Sequence, residues 1–234
     1  HLELIVDDIL DFNQKQKLIN FLDKWLKNKI NSILKSLIDL KDLKEKNSSI
    51  KALAYQLYEN NGVIKRDQVL EYLKNLKQEE RKILRNLGVK FGRYHIFLHR
   101  LIKPEAVSLR TMLWKNFHQK YFNLKPPTFG LNFLKDENSN KNFMLLCGFE
   151  KFDNFYVRID ILERLFMQII NSDSKDDKEI KMIPEMLNLL GCSKDNFKKL
   201  LEMMNYKLFN KGEELFFKYK PIKKFKKDSS KKIS

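Results

Sequence analysis

Five of the eight arginines fall between residues 81 and 110: Arg81, Arg85, Arg93, Arg100 and Arg110. Elsewhere the chain is written in lysine, 38 against 8, so a guanidinium cluster asks for a reason. Guanidinium is a planar fork that pairs bidentately with phosphate or carboxylate. Residues 81–125 carry eleven basic side chains and one acid, Glu105, a net +10, so local carboxylate partners are scarce. The chemistry indicated is phosphate binding, with Arg85, Lys90, Arg93, His95, Arg100 and Lys103 as candidate contacts. The competing reading is a set of interhelical or interdomain ion pairs. Lys194, Lys198 and Lys199 form a second group, placed to face phosphates if their helix enters a groove.

Other residue types suggest other chemistry, and most have a plainer reading. His95 and His99 lie four apart and would share a helix face, but two imidazoles are too few for a metal site. Asp160 and Glu163 have the types of a general acid/base pair. Flanked by Arg158 and Arg164, they read better as a helix start with local ion pairs. Cys192 precedes a helix start, where a thiol pKa can fall; with no partner indicated, a buried structural thiol is the better reading. The stripe Phe209, Phe216, Phe217 and Tyr219 reads as core before it reads as a base-stacking platform. No Walker loop, no Gly-x-Gly-x-x-Gly and no Gly-x-Ser-x-Gly elbow occurs. No catalytic motif, cofactor or metal set is therefore expected in this chain.

The 234 residues suffice for one large domain or two small ones. At 43% apolar and 32% charged the composition is globular. The net charge is +16, part of which is the lysine and asparagine excess of an AT-rich coding bias. Its distribution is more telling. Residues 1–12 are acidic, the central block is basic, and residues 207–234 carry ten bases against three acids. No apolar run reaches the roughly 18 residues of a membrane span, and no signal peptide is apparent. Two cysteines make no disulfide framework, so a reducing cytoplasmic setting is expected. The chain starts at His1, so a piece of a longer polypeptide is expected.

The elements that must position these residues are mostly helical. Apolar residues at spacings of three and four predict one long helix over 14–46. A helix over about 50–60 ends at Asn61-Gly62. A third is capped by Asp67, and a fourth over about 78–87 ends at Gly88. Val89–Ile102 is rich in β formers and reads as a short strand or a helix start. Pro104 opens a helix to about Gln119, with Ala106, Leu109, Leu113 and Phe117 inward. Residues 126–142 read as a linker within a loop-rich stretch beginning near 120. Residues 143–149 and 155–159 predict a hairpin, followed by a helix carrying Ile161, Leu162, Leu165, Phe166 and Ile169. After a polar loop at 171–179 come Pro184–Leu190, a Gly191-Cys192 turn, and a helix capped by Ser193. A second hairpin turns through Lys211-Gly212. The expected fold is mainly α: a helical bundle over 1–125, then a small α+β winged-helix-like domain over 143–220. A basic, disordered tail is expected over 221–234.

Three blocks carry a family resemblance. The first runs Leu87-Gly88-Val89-Lys90-Phe91-Gly92-Arg93-Tyr94-His95-Ile96-Phe97-Leu98, then Leu101-Ile102-Lys103-Pro104-Glu105-Ala106. The second is Val157-Arg158-Ile159-Asp160-Ile161-Leu162-Glu163-Arg164-Leu165. The third is Met186-Leu187-Asn188-Leu189-Leu190-Gly191-Cys192-Ser193, with Asp195 and Phe197. Together they resemble the C-terminal region of bacterial superfamily-two ATP-dependent helicases, relatives of the mitochondrial degradosome RNA helicase. The resemblance covers most of residues 15–210. One departure is His99-Arg100, where the family has a proline-containing pair, which puts the local turn in doubt. The resemblance implies an accessory region that grips single- or double-stranded RNA or DNA by its backbone. It also implies motor domains upstream that use ATP and Mg. A rival from another class is a helical protein-interaction module that docks a partner or the motor without touching nucleic acid.

Overall fold

The computed structural model describes residues 11–44, 48–135, 139–172 and 179–220. Asp11 opens α1 (Phe12–Ile33): its carboxylate accepts the Gln14 amide, and the Gln14 side chain accepts the Asp11 amide. This box satisfies two donors that a helix start leaves orphaned. The helix expected to run over 14–46 breaks at Leu34 and resumes as α2 (Lys35–Lys41). No glycine or proline marks the break; packing makes it. Leu34, Leu37 and Leu40 are buried in the core with α3 (Ser48–Glu59), whereas no residue of α1 is buried.

Beyond α3 the chain reverses at Asn61 and Gly62, both with positive φ, as that pair predicts. It then forms β1 (Val63–Lys65), too short to leave a periodic signal in the sequence. Asp67 caps no helix, contrary to expectation; it sits inside a 3-10 turn that leads to α4 (Leu70–Asn75). After α5 (Gln78–Asn86), the segment read as strand or helix start becomes a hairpin of β2 (Val89–Phe91) and β3 (His95–Leu98). His95 and His99 therefore share no helix face: the first is on a strand, the second in the following 3-10 turn. Pro104 does stand at the start of α6 (Pro104–Phe117). Ala106 and Leu109 are buried, but Phe117 is 85% exposed and not inward.

The loop-rich stretch contains more structure than its composition indicates. Within it are β4 (Phe133–Lys135) and the first turn of α7 (Lys141–Leu146), capped by Asn140, whose side chain accepts the Phe143 amide. Residues 143–146 are thus helix rather than strand, since a short apolar run does not by itself choose between the two. The hairpin begins later, as β5 (Phe149–Phe152) and β6 (Phe155–Arg158). Next come α8 (Ile159–Asn171), β7 (Ile180–Lys181) and α9 (Pro184–Leu190), which ends at a left-handed Gly191. Ser193 caps α10 (Lys194–Met203) as its type predicts, accepting the Asn196 amide. The last hairpin, β8 (Tyr206–Lys211) and β9 (Glu214–Tyr219), turns through Gly212. Most of the acidic 171–179 loop, and all of the tail 221–234, lie outside the described residues.

The described chain is mainly helical with three small antiparallel sheets, ordered β1-β3-β2, β4-β6-β5 and β7-β9-β8. β structure recurs along the chain, including the stretch read as a helical bundle. In every sheet a lone strand comes first and the second arm of a later hairpin takes the centre. A left-handed residue stands just ahead of each hairpin: Gly88, Gly148 and Asn205, at φ 94°, 86° and 66°. One large core lies among α2–α6 and the first sheet, and another among α8–α10 and the third. Two small clusters connect front and rear. Val107 packs with Phe143, Met144 and Tyr156, while Val63 and Phe97 pack with Ile159.

Candidate nucleic-acid interface

The turn between β2 and β3 is held from outside by one carboxylate. Glu163, on α8, accepts the backbone amides of Tyr94 and His95 at 2.9 Å each, and that of Arg93 as well. A methyl group on Gly92 would stand 2.3 Å from the Glu163 carboxyl carbon, so glycine is what lets the carboxylate reach the turn. Behind it, buried His95 donates through Nε2 to a Glu150 oxygen at 2.7 Å, and the other oxygen of Glu150 pairs with Lys65 at 2.8 Å. His95 Nδ1 lies 3.8 Å from Glu163, close enough for charge attraction but too far for a hydrogen bond. Burial alone pushes the His95 pKa down, but the carboxylates on either side hold it above its ordinary value. For Glu163, burial pushes upward and is outweighed by His95 and the three amides, leaving the pKa below the usual carboxylate range. Glu150 is likewise low, because His95 and Lys65 outweigh its burial.

This clamp forms one wall of an open groove of about 870 Å³ between the first hairpin and α8. Lys90, Arg93, Lys103, Arg66, Arg158 and Arg164 line it, with Phe91, Phe166 and Met167 as its apolar surface. The two carboxylates present are already engaged. Asp160 takes Arg158 at 2.7 Å, and Glu163 takes the amides. Arg66 donates to the Gly92 carbonyl at 2.9 Å. Lys90, Arg93, Lys103 and Arg164 have no carboxylate partner among the described residues. The Arg93 guanidinium lies 5.6 Å from the Phe166 ring centroid, a cation–π contact that leaves its outer edge free for an anion. The arrangement can bind phosphate groups beside an apolar strip.

The structure sorts the sequence candidates. It brings Lys90, Arg93 and Lys103 together in the groove. Arg85 and Arg100 are exposed but line other surface, and Arg85 stacks on Phe91 at 5.6 Å. His95 is only 2% exposed, so the expectation that it touches a phosphate is corrected: its partners are Glu150 and, by charge, Glu163. Arg110 of the arginine cluster is also structural. It is buried, donates to the carbonyls of Asn61, Leu101 and Leu146, and burial pushes its pKa down to about 10. Lys194, Lys198 and Lys199 lie on α10, away from the groove; Lys194 and Lys199 are exposed and Lys198 sits 3.6 Å from Asp195. No family model, curated protein or solved structure matches the chain. The functional reading rests on this geometry.

Arg66, Arg158 and Arg164 were not among the sequence candidates. Arg158 pairs with Asp160 as the local reading expects, but Glu163 does not act locally: its partners lie about seventy residues back. Burial pushes the Cys192 thiol up to about 11 and the Cys147 thiol to about 12, which fits structural thiols rather than nucleophiles. Of the aromatic stripe, Phe217 is fully buried, whereas Phe209 and Phe216 are only partly so.

Proposed function

We propose that this chain is a nucleic-acid-binding accessory region of an ATP-dependent RNA or DNA helicase, whose motor domains lie elsewhere in the polypeptide and use ATP and Mg. The observation that carries the binding half is the groove: four cations without carboxylate partners, grouped beside Phe91 and Phe166. Phosphates neutralised there release counterions, so binding is salt-sensitive and does not depend on base sequence. The helicase half rests on the resemblance of the three sequence blocks. The rear of the chain supports a winged-helix reading. α8, β7, α9, α10 and the β8–β9 hairpin follow in that order, with α9 and α10 joined by the Gly191-Cys192-Ser193 turn.

The test is fluorescence anisotropy with labelled single- and double-stranded RNA and DNA over a salt titration. Wild type binds at low salt with a log–log slope of about −0.7 to −0.9 per phosphate contacted. Replacing Lys90, Arg93 and Lys103 together by glutamate weakens binding by tenfold or more and flattens the slope. Unchanged affinity in this variant would remove the groove from the reading.

One observation favours the second reading, a protein-docking module. α1 buries no residue and exposes Phe12, Phe21 and Trp25 at 79%, 66% and 55%. Tight binding to the motor fragment, with no affinity for nucleic acid at low salt, would decide for it.

A further inference from the structure

The last sheet keeps one face outside every apolar cluster. Along β9, Leu215 and Phe217 are buried, and Phe216 and Lys218 lie on the opposite face. The register sets Phe209 directly across from Phe216, and Lys207 directly across from Lys218. Since side chains on a strand alternate, both pairs share the outer face. The two phenyl rings are 6.1 Å apart with nearly parallel planes, tilted by 19°, and the Lys211 ammonium lies 5.9 Å and 5.3 Å from their centroids. Neither belongs to any of the four apolar clusters.

The charges around this surface are uneven. Two nearby carboxylates are taken, Glu179 by Lys211 at 2.6 Å and Glu214 by Lys181, while Glu213 stands exposed in the hairpin turn. Lys207, Lys218 and Lys220 have no carboxylate partner among the described residues, and they border a hollow of about 520 Å³ beside Phe209 and Tyr219. Like charges placed directly across a ladder are unfavourable. A phosphate lying between Lys207 and Lys218 would turn that repulsion into attraction. From Lys220 the sequence runs on into residues 221–234, which hold six lysines against one aspartate.

We infer that the outer face of the third sheet is a second nucleic-acid site, which stacks unpaired bases on Phe209 and Phe216 while Lys207, Lys218 and Lys220 hold the backbone. Stacking accepts any base, because every base has a π-face, but needs that face free of a duplex. The site therefore selects single strands, a discrimination that the groove of phosphate-binding cations does not supply. The inference stands apart from the groove reading, since the two sites share no residue.

The experiment compares the full chain with a Phe209→Leu/Phe216→Leu variant and with a Lys90→Glu/Arg93→Glu variant. Leucine keeps apolar bulk at both positions and removes only the ring faces. The probes are labelled oligo(dT), oligo(U), a blunt duplex, and a single strand carrying a fluorescent adenine analogue that is quenched on stacking. The leucine variant should lose about tenfold or more in affinity for single strands, lose the quench, and bind the duplex like wild type. Single-strand affinity and quench unchanged in the leucine variant would overturn the inference. So would an equal loss on single strand and duplex, or binding of an acidic peptide rather than a strand at this face. If the groove variant binds single strands normally while the leucine variant does not, the groove reading fails and the sheet site stands.

Discussion

The first and third sheets have the same strand order and opposite exposure. All four residues of the central strand β3 are buried, whereas β9 alternates between buried and open positions. The difference comes from neighbours. The first sheet is covered by its own helices on one side. On the other it meets the rest of the chain, where Val63 and Phe97 pack on Ile159 and His95 reaches Glu150. No residue of the third sheet's outer face joins an apolar cluster. Topology alone does not decide which sheet faces solvent; the adjoining segment does, and the side chains record it. His95-Ile96-Phe97-Leu98 is the nearly continuous apolar run of a two-sided strand, and the Glu214–Tyr219 strand alternates except at Phe216, an apolar residue on its open side.

Truncating one phenylalanine in each sheet gives the strongest test of this contrast. Phe97→Ala should cost about 3–5 kcal/mol of unfolding free energy, as for a large core side chain. Phe216→Ala should cost about 1 kcal/mol or less, as at a surface site away from special features. Urea denaturation of both variants decides it, and equal losses would mean that the two faces are equally enclosed.

A pH series sharpens the contrast, because the first sheet contributes His95 to a buried ionic cluster with Glu150 and Glu163. Glu150 and Glu163 have lowered pKa values when folded, so their contribution is present above the usual glutamate range and is lost as pH falls through the lowered values. His95 is raised, so its contribution is complete below about pH 6.5 and is lost as pH rises through the elevated folded value. Urea midpoints should therefore peak between about pH 4.3 and 6.5. The decline on the alkaline side should vanish in His95→Gln. A parent protein with flat midpoints above pH 6.5 would show that the histidine is not held charged.

The smallest effect is expected on the open sheet. Lys207→Glu places opposite charges across from each other at Lys218 and should raise stability by about 0.2–1 kcal/mol. It should weaken single-strand binding at the same time. Reduced stability in this variant would show that the lysine pair does not repel.

Local signals made much of the rear of the chain readable. Pro184, Gly191, Ser193 and Gly212 each mark a boundary that the backbone observes, because each acts through its own φ or cap. The break at Leu34 was not readable, since it depends on burying Leu34, Leu37 and Leu40 rather than on any breaker. Lys90, Arg93 and Lys103 were found from local charge density. Their companions Arg158 and Arg164 were hidden because the end of β6 and α8 bring them from a distant part of the sequence. The same distance hid the role of Glu163, whose type and neighbours predict a local ion pair. His95 misled for the opposite reason: it stands in a basic stretch, but its strand is buried on both faces.

The compactness of each sheet in sequence bears on how the protein comes off the ribosome. The strands of the three sheets fall within Val63–Leu98, Phe133–Arg158 and Ile180–Tyr219, so each sheet is complete within 40 residues or fewer. Contacts this local form quickly, and a nascent chain can assemble them in order as it emerges. The first hairpin can pair before α8 has been synthesised, but its turn remains unclamped until Glu163 arrives. The groove therefore matures after the first sheet, only once Met167 has emerged, and before the third sheet can form.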